Sequence, residues 1–233
     1  KKEIIRHTGT VSGFTLLSRI FGLVRDVVLA NIFGAKMAAD AFFVAFRIPN
    51  LFRRLLAEGA LTVSFVPVFT EYLNKDREEA RRIVSIAISL FTLVLILFSA
   101  LVIILAPWMV KAIAFGFSEF PEKFDLTVLL TRLMFPYLIL VSLAALAMGV
   151  LNSLKHFAVP AASPIFLNIG IIVGALFFRN YCDPPVVGLA WGVLFGGSLQ
   201  LLINVPVMMR YGFLPRPRWN PNHPAVKKIG KLM

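Results

Sequence analysis

IVSIAISLFTLVLILFSALVIILAPWMV, residues 83–110, contains no Asp, Glu, Lys or Arg. A helix needs roughly 20 apolar residues to cross about 30 Å of hydrocarbon, and this run exceeds that. In lipid every backbone N–H and C=O must be satisfied within the segment, so such a run is read as a helix. Working outward from it, three more charge-free stretches follow, at 133–154, 157–178 and 184–209. The whole chain agrees with them. Of its 233 residues 58% are hydrophobic and only 15% charged, and mean hydropathy is +0.82. A soluble domain is usually 45–50% apolar and about 25% charged. The composition therefore predicts an all-α integral membrane protein. It excludes a disordered chain, a low-complexity repeat and, with Cys182 as the single cysteine, a disulfide scaffold.

The stretch before residue 74 differs. Residues 8–33 and 38–73 are apolar and long enough to span, yet they carry charges in their middles. The first holds Arg19, Arg25 and Asp26; the second holds Asp40, Arg47, Arg53, Arg54 and Glu58. Gly34-Ala-Lys36 reads as the turn between them, and Pro49, Gly59 and Pro67 predict that the second is bent or broken. Six transmembrane helices are thus expected, the first two unusual. The basic amino end is not read as a secretory leader, because Arg19 interrupts the apolar core and no A-x-A site follows.

A net charge of +12 could suit nucleic acid, but in a membrane protein basic residues gather in cytoplasmic loops. Placing the N-terminus inside puts 14 Lys and Arg in inner segments and 5 in outer ones. Both termini are therefore expected in the cytoplasm, with no nucleic-acid partner.

Charge inside the bilayer costs roughly 2.5–3.5 kcal/mol even on the lenient insertion scale, so the charges of the first two spans require a reason. Arg19 and Asp26 are seven apart and share a helical face; Asp40, Arg47, Arg54 and Glu58 recur at near-helical period. Arg25 and Arg53 fall off these stripes and are expected to flank the cavity that the stripes face. The five arginines outnumber Asp26, Asp40 and Glu58 by two. A guanidinium is a planar fork that suits phosphate oxygens, so the expected ligand is anionic, a phosphate carrying a lipid tail. Glu71, near the inner end of its helix, is read as a plain ion-pair or snorkelling residue.

Other features are read as architecture. Gly170 and Gly174, and Gly188, Gly192 and Gly196, recur every four residues, a spacing that lets membrane helices approach closely. Pro136, Pro164 and Pro206 are candidate kinks. No phosphate-binding glycine loop, zinc motif or nucleophile elbow is present, and His7, His156 and His223 are scattered.

The run Ser18-Arg-Ile-Phe-Gly-Leu-Val-Arg-Asp26, then Asp40-Ala-Phe-Phe-Val-Ala-Phe-Arg-Ile-Pro-Asn50 and Leu51-Phe-Arg-Arg-Leu-Leu-Ala-Glu-Gly59, closely resembles the MurJ/MviN family. Phe65–Glu71, Phe135-Pro-Tyr137, Leu151-Asn152 and Pro160–Asn168 continue the match. The resemblance implies a lipid II flippase of the MATE-like multidrug/oligosaccharidyl-lipid/polysaccharide exporter superfamily, in the bacterial inner membrane, working by alternating access. It implies that Arg19, Arg25 and Arg53 are cavity arginines, with Asp26, Asp40 and Glu58 as associated acids. Arg54, Asn50 and Arg47 complete the candidate substrate-binding set, Arg47 standing where the family accepts Lys. Members have about fourteen helices in two lobes of six plus two more, with the substrate between lobes. Residues 1–215 are accordingly expected to be the N-terminal lobe, and 216–233 a cytoplasmic segment leading toward a second lobe. The implied partners are lipid II, membrane lipids and that missing lobe. No cofactor is expected in this chain. Membrane potential or a cation gradient are the candidate driving forces, any cation site being expected in the other lobe. Two alternatives stand beside this: another exporter of the superfamily, and a membrane enzyme acting on polyprenyl pyrophosphate.

Overall fold

The computed structural model describes residues 2–34 and 36–232, except for the side chains of 2–7, 57, 58, 60 and 61. The described residues form an all-helical bundle: α1 (Lys2–Phe33), α2 (Met37–Phe52), a π-helical segment (Arg53–Leu61), α3 (Thr62–Lys75), α4 (Arg77–Ile113), α5 (Pro121–Met134), α6 (Tyr137–Ser153), α7 (Ala158–Leu176), α8 (Val187–Arg210) and α9 (Pro224–Leu232). Short 3₁₀ turns at Phe115–Glu119 and Phe178–Tyr181 join α4 to α5 and α7 to α8.

Four helical rods are long and apolar enough to cross a membrane among the described residues: Arg77–Ile113, Pro121–Ser153, Ala158–Leu176 and Val187–Arg210. They coincide with the four charge-free runs but begin earlier in two cases. α4 starts at Arg77, where Asp76 caps it by accepting from the Glu78 backbone N–H at 2.8 Å, and Glu78 and Glu79 favour the positive first turn. The Pro121–Ser153 rod is the union of α5 and α6, interrupted at Phe135-Pro136 because proline lacks the N–H that would continue the ladder. Charged residues such as Glu122 and Arg132 ride on its first half, which is why absence of charge marked only its second half. The remaining two expected spans, α1 and the rod from α2 through α3, lie against these helices: α1 against α7, α2 against α5, α3 against α4 and α6.

The bundle is apolar on its outside. Leu97, Ile104 and Trp108 of α4 are 62%, 70% and 73% exposed. An exposed apolar surface of this extent is a liability in water and ordinary in lipid. This is a multi-pass membrane protein.

Inside, Phe42, Met134, Tyr137, Leu189 and Val193 tie α2, α5, α6 and α8 together. Phe65, Phe69, Leu151, Phe213 and Ile229 knit α3, α6, the chain after α8, and α9. The closest packing is between α7 and α8. A Cβ built on Gly192 would stand 2.6 Å from the Gly170 carbonyl oxygen and 2.9 Å from the Gly174 Cα, so only hydrogen fits there.

Three local features differ from or sharpen the sequence reading. Gly34 follows α1 with φ +59°, the left-handed conformation glycine tolerates; Ala35 of the expected turn lies outside the described residues. The second stretch does not break at its prolines: Pro49 and Pro67 lie within α2 and α3, and the chain stays helical through 37–75 by widening into the π segment. Glu71 is paired with Lys75 at 2.9 Å and with Lys228 of α9, the ion-pair role expected for it.

Candidate functional site

Helices α1, α2, the π segment, α7 and the end of α4 surround a cavity of about 620 Å³. Its polar lining is Arg25, Arg47, Arg53, Arg54 and Asn50. Phe46, Leu51, Ile113 and Leu167 supply the apolar part of the wall. Four guanidiniums thus face one space that no described acid lines.

The π segment brings Arg53 and Arg54 to this space together. Arg53 and Arg54 are its first two residues. A π turn bonds i to i+5, so each residue rotates the chain less than in an α-helix, and adjacent side chains stay closer to one face. Arg53 is held by its own helix: its Nε donates to Asn50 Oδ1 at 3.2 Å, one turn back. Glu58 lies in the same segment, but its side chain is outside the described residues. Arg47 and Arg54 are exposed and make no hydrogen bond or ion pair among the described residues.

Arg25 is fixed from two helices. Its Nε and Nη2 donate to Asp26 Oδ1 at 2.9 and 2.7 Å. Its Nη1 donates to Asn168 Oδ1 of α7 at 3.0 Å. The amide of Asn168 in turn donates from Nδ2 to the Ser18 carbonyl of α1 at 3.2 Å. Asn168 is only 7% exposed, so these bonds are protected from water. Asp26 itself is exposed and touches the site through Arg25 alone.

Arg19 and Asp40 stand apart from this lining. Arg19 is exposed on α1, about 9 Å along the axis from Arg25 at the α-helical rise. Asp40, at the start of α2, accepts from Lys123 Nζ of α5 at 2.8 Å, and that ammonium also lies 4.1 Å from the Phe117 ring centroid. Asp40, the first acid of the second stripe, is therefore neutralised locally, which leaves the arginines further along without its counter-charge. Asn168, absent from the sequence-derived candidates, is the added residue. As a neutral amide in an apolar run it carries no cost-of-charge signal, and its partner is 143 positions away.

This geometry can hold an anion with several oxygens. Fork-shaped donors from three separate turns converge on one space, and a low-dielectric wall strengthens each contact. Among the described residues no group of three or more His, Cys, Asp or Glu is placed to hold a metal ion.

Comparison with known proteins gives one consistent result. Residues 29–233 match the model of the family described as lipid II flippase MurJ. The lipid II flippase MurJ of Burkholderia cenocepacia is 44% identical over 232 residues, covering 97% of this chain and 45% of that protein. A probable lipid II flippase MurJ of Vibrio cholerae is 41% identical over 242 residues, covering all of this chain and 46% of that one. A solved structure of lipid II flippase MurJ in an inward closed conformation superposes with a TM-score of 0.77 at 27% identity, over 95% of this chain and 46% of its own. The chain spans about half the length of the curated relatives it matches.

Proposed function

This chain belongs to the lipid II flippase MurJ family, and from that premise we propose that it forms one lobe of a transporter of lipid-linked peptidoglycan precursor. The precursor moves from the inner to the outer leaflet of the bacterial inner membrane by alternating access. The arginine-lined cavity holds its pyrophosphate while the polyprenyl tail stays in the bilayer. Both termini of the segment face the cytoplasm, and a second lobe supplies the facing wall.

The observation that carries this reading is the convergence of Arg25, Arg47, Arg53 and Arg54 on one cavity of about 620 Å³ among apolar helices. A diphosphate presents oxygens in several directions, and guanidinium forks answer it bidentately where ammonium groups act as point charges. Transport breaks no covalent bond, so binding and release of the anion as the lobes rock is the chemistry required.

The test is replacement of Arg25 or Arg53 by Ala in the natural protein, with lipid II at the outer leaflet measured in cells. Each is expected to lower transport by more than about tenfold at unchanged membrane abundance, and Lys to restore only part, since it lacks the fork. Arg210, exposed at the end of α8, is the control and tolerates Ala. Wild-type transport by stably inserted Ala variants would overturn the proposal.

A further inference from the structure

A second basic cleft, remote from the arginine cavity, lies where α4 begins. It encloses about 190 Å³ between the first turns of α4 and the chain that follows α8. Arg81 and Arg82 line it from α4, Arg216 and Arg218 from the opposite wall, with Glu78 at its edge.

The second wall is built by turn chemistry. α8 ends in a Schellman turn: Gly212 adopts φ +81°, its N–H donates to the Met209 carbonyl at 2.8 Å, and the Phe213 N–H donates to the Met208 carbonyl at 2.9 Å. The chain then runs without regular structure through Leu214-Pro-Arg-Pro-Arg-Trp219. Pro215 and Pro217 have no N–H. The two donors left between them and Trp219 are both engaged on α4: Arg216 N–H with Ser85 Oγ at 3.2 Å, Arg218 N–H with Ser89 Oγ at 3.0 Å. Ser85 and Ser89 are one helical turn apart, so the strap is laced along α4. Gly212 is also where Arg81 packs: a Cβ there would stand 3.3 Å from the Arg81 Cζ.

The charge of this cleft is not used up by the fold. Arg81 pairs with Glu78, and Arg82 with Glu79 at 3.4 Å. Glu79 is shared with His223 Nε2 at 2.8 Å. The Arg216 and Arg218 side chains have no partner among the described residues. Arg81 Nε is shut from solvent with no acceptor among the described residues. The cleft also straddles the start of the 28-residue charge-free run at Ile83, with Leu214 and Trp219, 46% and 64% exposed, on either side of the strap arginines. Arginine beside exposed tryptophan at the end of an apolar helix is the signature of the membrane interface.

We propose that this cleft is an anion site that takes the phosphodiester head of an anionic phospholipid from the adjoining leaflet, docking the strap and α4 to the membrane surface. The chemistry that recognises it is a phosphate oxygen between the paired arginines of α4 and the unpaired ones of the strap, with acyl chains along the apolar face of α4.

The test uses the natural protein purified in detergent, titrated with phosphatidylglycerol or phosphatidylcholine and read by native mass spectrometry. The comparison is with the double variant Arg216→Ala/Arg218→Ala and, separately, Arg82→Ala. The double variant keeps both backbone N–H groups, so the lacing to Ser85 and Ser89 survives. Phosphatidylglycerol is expected to bind wild type at least about tenfold more tightly than phosphatidylcholine, the double variant to lose most of that preference, and Arg82→Ala part of it. A photoactivatable phosphatidylglycerol locates the site independently of the central cavity, with crosslinks expected in residues 77–89 and 211–219. Preference for phosphatidylglycerol unchanged in both variants, or crosslinks confined to other segments, would overturn the proposal. Displacement of bound lipid by millimolar inorganic phosphate would assign the cleft to a soluble phosphate and overturn the lipid source.

Discussion

Arg25 shows what an arginine in a membrane protein requires in order to be useful. A guanidinium free to turn would find the nearest carboxylate and stay with it. Here Asp26 takes Nε and Nη2, while Asn168 takes Nη1 and anchors itself on the Ser18 carbonyl, so the orientation is set by α7 and not only by α1. Asn168→Leu, which keeps the branched heavy-atom skeleton, deletes both bonds across that interface. A charge-assisted hydrogen bond contributes about 1.5–3 kcal/mol, so lipid II transport is expected to fall about tenfold or more while α1 and α7 remain packed and membrane abundance holds. Asn168→Asp keeps an acceptor for Arg25 and is expected to retain more activity than Leu. Equal, wild-type transport by both would show that Arg25 needs no support from α7. At this scale the sequence was half legible. Arg25, Arg47, Arg53 and Arg54 announce themselves by the cost of charge in lipid. Asn168 does not, because an amide among Ile and Leu looks like any tolerated polar residue until its partner is known. The fate of Asp40 was equally hidden: helical period placed it on the arginine stripe, whereas Lys123, from a helix 83 positions on, claims it.

Between elements, backbone proximity decides where glycine is required. Gly170 and Gly174 on α7 meet Gly188, Gly192 and Gly196 on α8 with main chain against main chain, the close approach their four-residue spacing foretold. Gly192→Val would drive a branched side chain into the Gly170 carbonyl and Gly174 Cα. Neither neighbour can yield by rotating a side chain, so a destabilisation of about 1–3 kcal/mol or more is expected, read as a lower unfolding temperature in detergent and reduced membrane abundance. Gly13→Ala on α1, where a Cβ meets nothing within 4 Å, is the control and is expected to be neutral or slightly stabilising. If both changes behaved alike, the α7–α8 contact would not be limited by main-chain approach. Small-residue spacing is legible because it is strictly local. The course of residues 38–73 is not, since proline and glycine signal a disturbed helix without saying which disturbance. A kink, a break and a π turn all relieve the missing N–H, and the packing of α2 on α5 and of α3 on α4 and α6 selects among them. Helices extend past the charge-free runs for a related reason: a first turn such as Arg77–Glu79, capped by Asp76, is charged yet helical, so counting apolar residues trims it off.

For the molecule as a whole, charge asymmetry predicts which way the bundle lies. Two thiols separated by one helix test the prediction. Cys182, the only cysteine, lies between α7 and α8 beside Tyr181, which is 89% exposed. Gly230 lies on the exposed face of α9, where a Cβ meets nothing within 4 Å, so Gly230→Cys in a Cys182→Ser background adds a probe without crowding. α8 is 24 residues long and apolar enough to span, which places the two probes on opposite faces whatever the orientation. Basic residues resist translocation, so the end of the chain that carries Arg210, Arg216, Arg218, Lys227, Lys228 and Lys231 should stay in the cytoplasm. A membrane-impermeant maleimide added to intact spheroplasts is therefore expected to label Cys182, and to label the cysteine at 230 only after the membrane is opened. The reverse pattern would invert the topology and move the lipid-binding cleft to the outer leaflet. Labelling of both from outside would mean that α8 does not cross, and the one-lobe architecture would fail with it.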